Sequence, residues 1–594
     1  MILLSYFTLL LCAHAVYAQD TMLLWGDTHL HSSYSVDAYS TGNYNADPET
    51  AYRFAQGIPV LHPMTRMRIR IDRPLDFLVV SDHAEMLQLQ VRLEKHDPDL
   101  LATPSGKRLL EVLEKDRNGV FGLILQMDGD EREKFMQDIN KPVIRRNAWH
   151  TQVDLAERYN QPGRFTTLIG WEWSAAPNWG NLHRVIFTPS SGEIAKQFIP
   201  YSNYDSERPE DLWAWMERTS AETGAEFVAI PHNSNISNGL MFDMVDSDGR
   251  PITAEYARTR IRWEPVMEVS QVKGTSETHP ALSVNDEFAD FEIRNKLLIG
   301  DPAKASPNSY ARTALLQGME IEAATGVNPY KFGMIGSSDS HTGLVSVEEN
   351  NFFGKLVNDT LPEERAKQAL IFPAWEMAAA GLAAVWATEN TRAAIAAAFR
   401  RKEVYATTGP RISLRFYGGF SFRNSDARAK DIAAVGYRRG VPMGSDLTAA
   451  PRGKAPSFLV HAVKDPLGAN LDRVQIIKGW LDTNGKKHEK VFDVAWSGDR
   501  QIGTDGKLPA VGSTVDISHA VYTNDIGATQ LAVVWKDPQF NPDLRAFYYV
   551  RVLEIPVPRH HVYDALALGM DPESLQHPAT IQDRAYSSPI WYTP

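Results

Sequence analysis

The stretch WGDTHLHSSYSVDAYS, residues 25–40, sets His29 and His31 two apart, with Asp27 before them and Asp37 after. Side chains on an extended strand alternate with a period of two, so both imidazoles face one side and suit one cation. The motif SDSH repeats that geometry with Asp339 and His341. In GWEWS, Glu172 ends an apolar run, and a carboxylate there must be paired, protonated or metal-bound. SDH adds Asp82 and His83, and PHN adds His232 and Asn233. His183 stands at the start of its run, before RVIF, so its placement is less fixed. Each of these residues alone is compatible with a turn or a satisfied core position. The joint pattern is not: of seventeen histidines, His29, His31, His83, His232 and His341 all fall at ends of strand-like runs. Imidazole and carboxylate donors without sulfur suit Zn²⁺, Mn²⁺ or Fe²⁺. Glu172, with two oxygens, can also join neighbouring ions, which lowers the pKa of a shared water towards neutrality.

The elements that must position these residues are short apolar or β-branched runs at 22–31, 75–83, 165–174, 183–189, 225–233, 265–271 and 332–341. Helical patterns at 86–95, 107–117, 150–159 and 209–223 lie between them. That alternation predicts an α/β protein, a parallel layer or barrel whose strand C-termini share one face. The connections 97–160 and 276–328 are too long for a minimal unit and read as insertions that wall a pocket. Residues 388–412 predict a helix capped at Asn390 or Thr391, with Ala393, Ile395, Ala396 and Phe399 on its inner face, ended by Gly409-Pro410. Beyond 410 the runs are strand-like and separated by turn residues, which predicts a β-rich, sandwich-like accessory domain without notable helices and a loop at 436–458. The expected domains are thus 1–18, an export signal; 19–410, the catalytic body; and 411–594, the β-rich domain and tail.

At 594 residues the chain is long enough for two domains, and 43% hydrophobic with 23% charged residues is globular. The net charge of −12 argues against general nucleic-acid or anionic-membrane binding. Residues 2–13 are apolar and HAVYAQD follows, so cleavage is expected after Ala18 and the protein is expected to be periplasmic or secreted. The single cysteine, Cys12, lies inside that signal, which leaves the mature chain without disulfides or thiolate ligands. No other run is apolar enough to insert stably in a membrane.

As a set, THLH, SDH, GWEW, PHN and SDSH resemble the motifs of the PHP superfamily, the polymerase and histidinol phosphatase metalloesterases, in that family's order. With the ATTGPRI region and the β-rich part after it, the chain is similar to a large exported branch long filed as a domain of unknown function. The resemblance covers most of residues 22–412. It implies a distorted seven-stranded (β/α) barrel holding two or three divalent ions. Carried over, His29, His31, Glu172 and Asp339 hold one ion, and Glu172 and His232, with His183, hold a second. His83 and His341 hold a third, with Asp37 in a position that is histidine in some relatives. Asp27 and Asp82 are expected to orient imidazoles from behind.

The expected reaction is hydrolysis of a small-molecule phosphoester by in-line attack of a metal-bridging hydroxide, with Glu172, Asp339 and His341 central to catalysis. Arg184, Lys273 and Arg411 are candidate anion clamps, Asn233 a hydrogen-bonding group, and His279 a candidate general acid. His62, His96, His150 and the histidines beyond 411 read as structural or exposed. A sulfate ester has the same tetrahedral oxyanion shape and stays open as a substrate. The amidohydrolase superfamily also begins with HxH, but it bridges with a carbamylated lysine where Glu172 stands here. A secreted binding protein whose metals only stabilise the fold is the alternative of another class; closed metal sites would mark it.

Overall fold

The computed structural model describes residues 20–294, 296–297, 305–367 and 373–594. The expected signal and Cys12 lie outside these described residues. Seven strands position the candidate site: β1 (Met22–Leu30), β2 (Phe77–Val80), β3 (Thr166–Trp173), β4 (Arg184–Thr188), β5 (Val228–Pro231), β6 (Val266–Gln271) and β7 (Gly333–Gly336). They match the seven apolar runs. β1, β2 and β3 pair in parallel. β4 is reversed, antiparallel to both β3 and β5. β6 and β7 pair in parallel, and the chain just beyond β7 joins the end of β1 through a parallel bridge between Leu30 and Ser340. The fold is mixed α/β, with a large sheet that contains parallel strands and further β-sheets beside it.

Strands β2 to β7 are buried along their whole length, as expected where both faces are covered. One face supplies a core of Phe77, Val79, Leu168, Val185, Phe187, Val228, Ile230, Val266 and Ile335. This core is plugged by Ile395, Ala396 and Phe399 of the helix Arg392–Arg401. Thr391 caps that helix by accepting from the Ala394 amide, as its sequence punctuation predicts. The other face, with Leu78, Val80, Ile169, Trp171 and Ile186, packs outward. Gly170 lies on the inner face because a Cβ there would meet Val79 Cγ1 at 2.4 Å.

The insertion at 97–160 is helical, comprising Pro98–Leu101, Pro104–Lys115, Gly119–Gln126, Gly129–Ile139 and Pro142–Tyr159. Its own core includes Leu100, Leu109, Leu113, Phe135 and Ile139. Strands β8 (Leu382–Ala387) and β9 (Val404–Thr407) extend the main sheet from β1. β9 in turn pairs with Arg584–Ser587, so the C-terminal strands continue the same sheet through Ala546–Glu554. A separate four-stranded antiparallel sheet holds Gly440–Pro442, Ser413–Gly419, Ser457–Val463 and Gln530–Lys536. The C-terminal part also carries the helices Ile432–Arg439 and His560–Ala567, which corrects the expectation of none. The stretch 436–458 contains the short strands Gly440–Pro442 and Asp446–Thr448, so it is not simply a loop. Sparse side-chain patterning in two- and three-residue strands leaves little periodicity to read. A buried ionic cluster ties the 276–328 insertion to this part: Asp286 accepts from Arg312 at 2.7 Å and from Arg551 at 2.6 Å.

Candidate metal centre

On most strands the inner-face periodicity runs straight from core into site. Leu168, Gly170 and Glu172 share a face of β3, as do Val228, Ile230 and His232 along β5. Phe77 and Val79 lead to His83, and Ile335 leads to Asp339 and His341. β4 runs backwards, so Phe187 and Val185 lead down to His183 at its first end. The reversal explains why His183 sits at the start of its run yet reaches the same place: its Nδ1 lies 2.6 Å from Glu172 Oε1. β1 breaks the rule. Trp25 and Leu30 both face outward despite opposite parity, and a register shift between Asp27 and Leu30 accounts for it. That irregularity turns His29 and His31 inward, a common use of a bulge beside a site.

Glu172 is the hub. Its Oε1 lies 3.0 Å from His232 Nε2, in addition to His183. Its Oε2 lies 3.0 Å from His31 Nε2, 3.4 Å from His29 Nε2 and 3.5 Å from His83 Nδ1. Asp37 joins His83 and His341, its Oδ2 standing 3.1 and 2.7 Å from their Nε2 atoms. Asp339 faces His29 at 3.6 Å and His31 at 3.8 Å through Oδ1. Both Asp339 and Asn233 adopt left-handed backbone conformations, φ 51° and 54°. Such φ values recur at functional sites, and Asn and Asp tolerate them best among non-glycine residues.

The donors fall into three groups, each with its atoms within 4.8 Å of one another: His29, Glu172 and His232; His29, His31 and Asp339; and His31, Asp37, His83 and His341. His29 Nε2 and His31 Nε2 are buried without a hydrogen-bond partner. Orphaned imidazole nitrogens aimed at carboxylates fit divalent ions, and the nitrogen and oxygen donor set suits Zn²⁺, Mn²⁺ or Fe²⁺.

Burial and neighbouring charge set the protonation. Burial pushes His183 down to about 4 and both His232 and His341 to about 3, and it joins the His341 charge in holding His31 well below its ordinary value. Burial acts in the same direction on His29, but the Glu268 and Glu172 carboxylates outweigh it and raise that ring to about 9. Glu172 and Asp37 do the same for His83, also to about 9. Against burial, the surrounding imidazoles hold Glu172 and Asp37 well below the usual carboxylate range.

The groups behind the ligands differ from the sequence expectation. Asp27 touches no imidazole; it accepts from the backbone amides of His29 at 2.9 Å and Ser338 at 3.1 Å, and so staples β1 to the Asp339 turn. Asp82 accepts from Ser32 N at 2.6 Å and Ser32 Oγ at 2.7 Å, fixing the turn after His31. The carboxylate that orients an imidazole is Glu268 on β6, with Oε2 3.0 Å from His29 Nδ1. Ser35 Oγ takes His31 Nδ1 at 2.9 Å and donates to Asp37 at 3.0 Å. Glu268 carried the same signal as Glu172, a carboxylate inside an apolar strand, in VMEVSQ.

Of the candidate clamps, Lys273 is at the centre, buried with its Nζ on Asp339. Asn233 is there too, its Nδ2 3.5 Å from Asp339 Oδ2 and its Oδ1 buried without a partner. Lys355, which no sequence pattern marks, lies 3.2 Å from Asp339 Oδ1 and 2.8 Å from His341 Nδ1. Arg184 is not a clamp: it alternates with His183 and points away, where Glu264 takes its Nε at 3.0 Å. Arg411 lies at the opposite end of β2, donating to the carbonyls of Arg73 and Pro74. His279 stands in a loop, its ring against Tyr310 and its Nδ1 accepting from the Ala281 amide, outside the centre.

Fold and site together define a mixed α/β protein with a buried cluster of histidines and carboxylates able to hold divalent metal. The chain belongs to the family described as "Protein of unknown function (DUF3604)", matched over residues 18–594. No curated protein matches it. One solved structure, a two-domain protein from Bacteroides vulgatus described as containing a "predicted PHP-like metal-dependent phosphoesterase", is similar at 11% identity and a TM-score of 0.28, over 89% of this chain and 90% of that one.

Proposed function

We propose that the protein is an exported metal-dependent hydrolase of small-molecule phosphoesters, built on a distorted seven-stranded PHP-like barrel formed by β1 to β7. The observation that carries this reading is the convergence of His29, His31, His83, His183 and His232 on the two oxygens of one buried carboxylate, Glu172. His29, His31, Glu172 and Asp339 would hold one ion, Glu172, His232 and His183 a second, and Asp37, His83 and His341 a third. When bound, divalent ions supply Lewis acidity towards an ester oxyanion and make water nucleophilic near neutral pH. Glu268 keeps Nδ1 of His29 hydrogen-bonded, which leaves Nε2 directed into the centre. Lys273 and Lys355 bring two amino groups to the same place. Burial and the Lys355 charge hold Lys273 well below its ordinary value, while Lys355, lowered by burial to about 8, supplies the cationic group for an anionic oxygen. Asn233 adds a buried, unpartnered amide oxygen. Side-chain exposure is greatest at Asp37, His83 and His183, so substrate enters on that side. The export reading rests on the apolar run 2–13 and the small residues before Ala18.

Metal analysis of protein purified without chelator, then a panel of aryl phosphate monoesters, diesters and sulfates with Mn²⁺, Zn²⁺ or Fe²⁺, tests the proposal. Phosphoester turnover that disappears in His29→Ala, in protein that circular dichroism shows to be folded even though Glu268 loses its partner and the melt falls, is the expected result. Absence of hydrolysis across the panel overturns it, and turnover of sulfates alone replaces the substrate class.

A further inference from the structure

The hairpin at residues 58–71, IPVLHPMTRMRIRI, combines three arginines with a row of large apolar residues and contains no acidic residue. Val60 pairs with Ile69 and Leu61 with Arg68. Val60, Ile69 and Ile71 face inward and pack with Phe54, Leu344 and Phe353. Alternation then turns Leu61, Arg68 and Arg70 outward. Leu61 is 49% exposed and Met67 61%, with Ile58 and Met64 exposed beside them. Arg66, Arg68 and Arg70 are exposed, and among the described residues no carboxylate pairs with them. The tip is held in shape: His62 Nδ1 accepts from the Met64 and Thr65 amides at 3.2 and 3.1 Å, and the His62 amide donates to the Met67 carbonyl at 2.8 Å.

We propose that this hairpin docks the protein on an anionic lipid surface. Isolated exposed apolar residues need no explanation, but four on one rigid hairpin, interleaved with unpaired arginines, form a patch of the kind that marks an interaction site. Arginine buries its stem among apolar groups while its guanidinium reaches lipid phosphate, so the two residue types act on one partner. Weak apolar insertion and weak electrostatic attraction together give the two signals that reversible membrane attachment requires. The chain-wide charge of −12 hides this feature because residues 58–71 hold none of the chain's acidic residues, the nearest in sequence being Asp72 just after them. No helix among the described residues is long and apolar enough to cross a membrane, so the contact is peripheral.

Co-sedimentation of the full chain with vesicles, either phosphatidylcholine alone or equimolar phosphatidylcholine and phosphatidylglycerol, tests the proposal. Binding to the anionic vesicles only, reversed at ~0.5 M salt, is expected. The triple variant Arg66→Glu, Arg68→Glu, Arg70→Glu should weaken binding by about a hundredfold or more. Leu61→Ser with Met64→Ser and Met67→Ser should also lose it. Circular dichroism and melting report the fold of each variant, and a triple Arg→Gln variant serves where charge reversal unfolds the hairpin. Failure of the wild type to sediment, equal binding to neutral vesicles, or variants that bind like the wild type overturns the proposal. So does retention on a soluble polyanion without vesicle binding.

Discussion

Glu268→Gln is the most informative single change, because it tests which carboxylate supports the centre. Glu268 is 1% exposed, and its Oε2 accepts from His29 Nδ1 at 3.0 Å. Glutamine keeps the shape and an accepting oxygen but removes the charge that helps to raise His29. Loss of such a supporting carboxylate typically weakens metal affinity by roughly 10–100-fold, or about 1.4–2.7 kcal/mol. Glu268→Ala goes further and leaves Nδ1 buried without a partner, which costs the fold about 1–3 kcal/mol as well. Asp27→Asn is the control. Asp27 accepts only from backbone amides and Ser338, so its loss should lower the melting temperature while metal affinity per folded molecule stays within about threefold. Competition against a chelating indicator measures all three variants. If Asp27→Asn weakens metal binding as much as Glu268→Gln does, or Glu268→Gln leaves it unchanged, the reasoning is wrong.

A proton-release prediction follows from the raised pKa values of His29 and His83, both about 9. A ligand ring must be neutral, so near pH 7.5 incoming ions displace about two protons, and affinity rises as pH climbs towards 9; a pH-indicator titration that detects no release refutes this. Rings already held neutral, such as His232 at about 3, release none. Asp37→Ala should remove one ion from the metal stoichiometry while two remain, since Asp37 is the carboxylate that joins His83 and His341 among the described residues; elemental analysis reads the difference. Lys355→Gln should lower kcat/KM on an active ester by roughly 10–100-fold with metal content retained, and unchanged kinetics would exclude a role on substrate. Arg184→Met should destabilise by about 1–3 kcal/mol in denaturant melts, because buried Glu264 loses one partner at 3.0 Å but keeps Arg260 at 3.1 Å and the Trp213 indole at 2.9 Å.

The sequence by itself determined the strand set and the residue types that converge. Strand-length apolar runs ending in His, Asp or Glu can bury only if their polar ends meet one another or a cation, and that constraint is local and readable. The helix at 392–401 was legible for the same reason, its cap and inner face lying within a few residues of each other. Tertiary structure decided what depends on partners far along the chain. The reversed β4 places His183 at the centre and sends Arg184 to Glu264, and nothing within RVIF records which way the strand runs. The irregularity in β1 sets the inward face of His29 and His31, whereas strict alternation from Trp25 would turn them out. Glu268 meets His29 across 239 residues, and Lys355 enters from an irregular segment with no periodicity. Asp82 is next to His83 in sequence but holds Ser32 in space, because a strand sends adjacent side chains to opposite faces, whereas Asp27 is parted from His29 by the register shift in β1 and holds backbone amides instead.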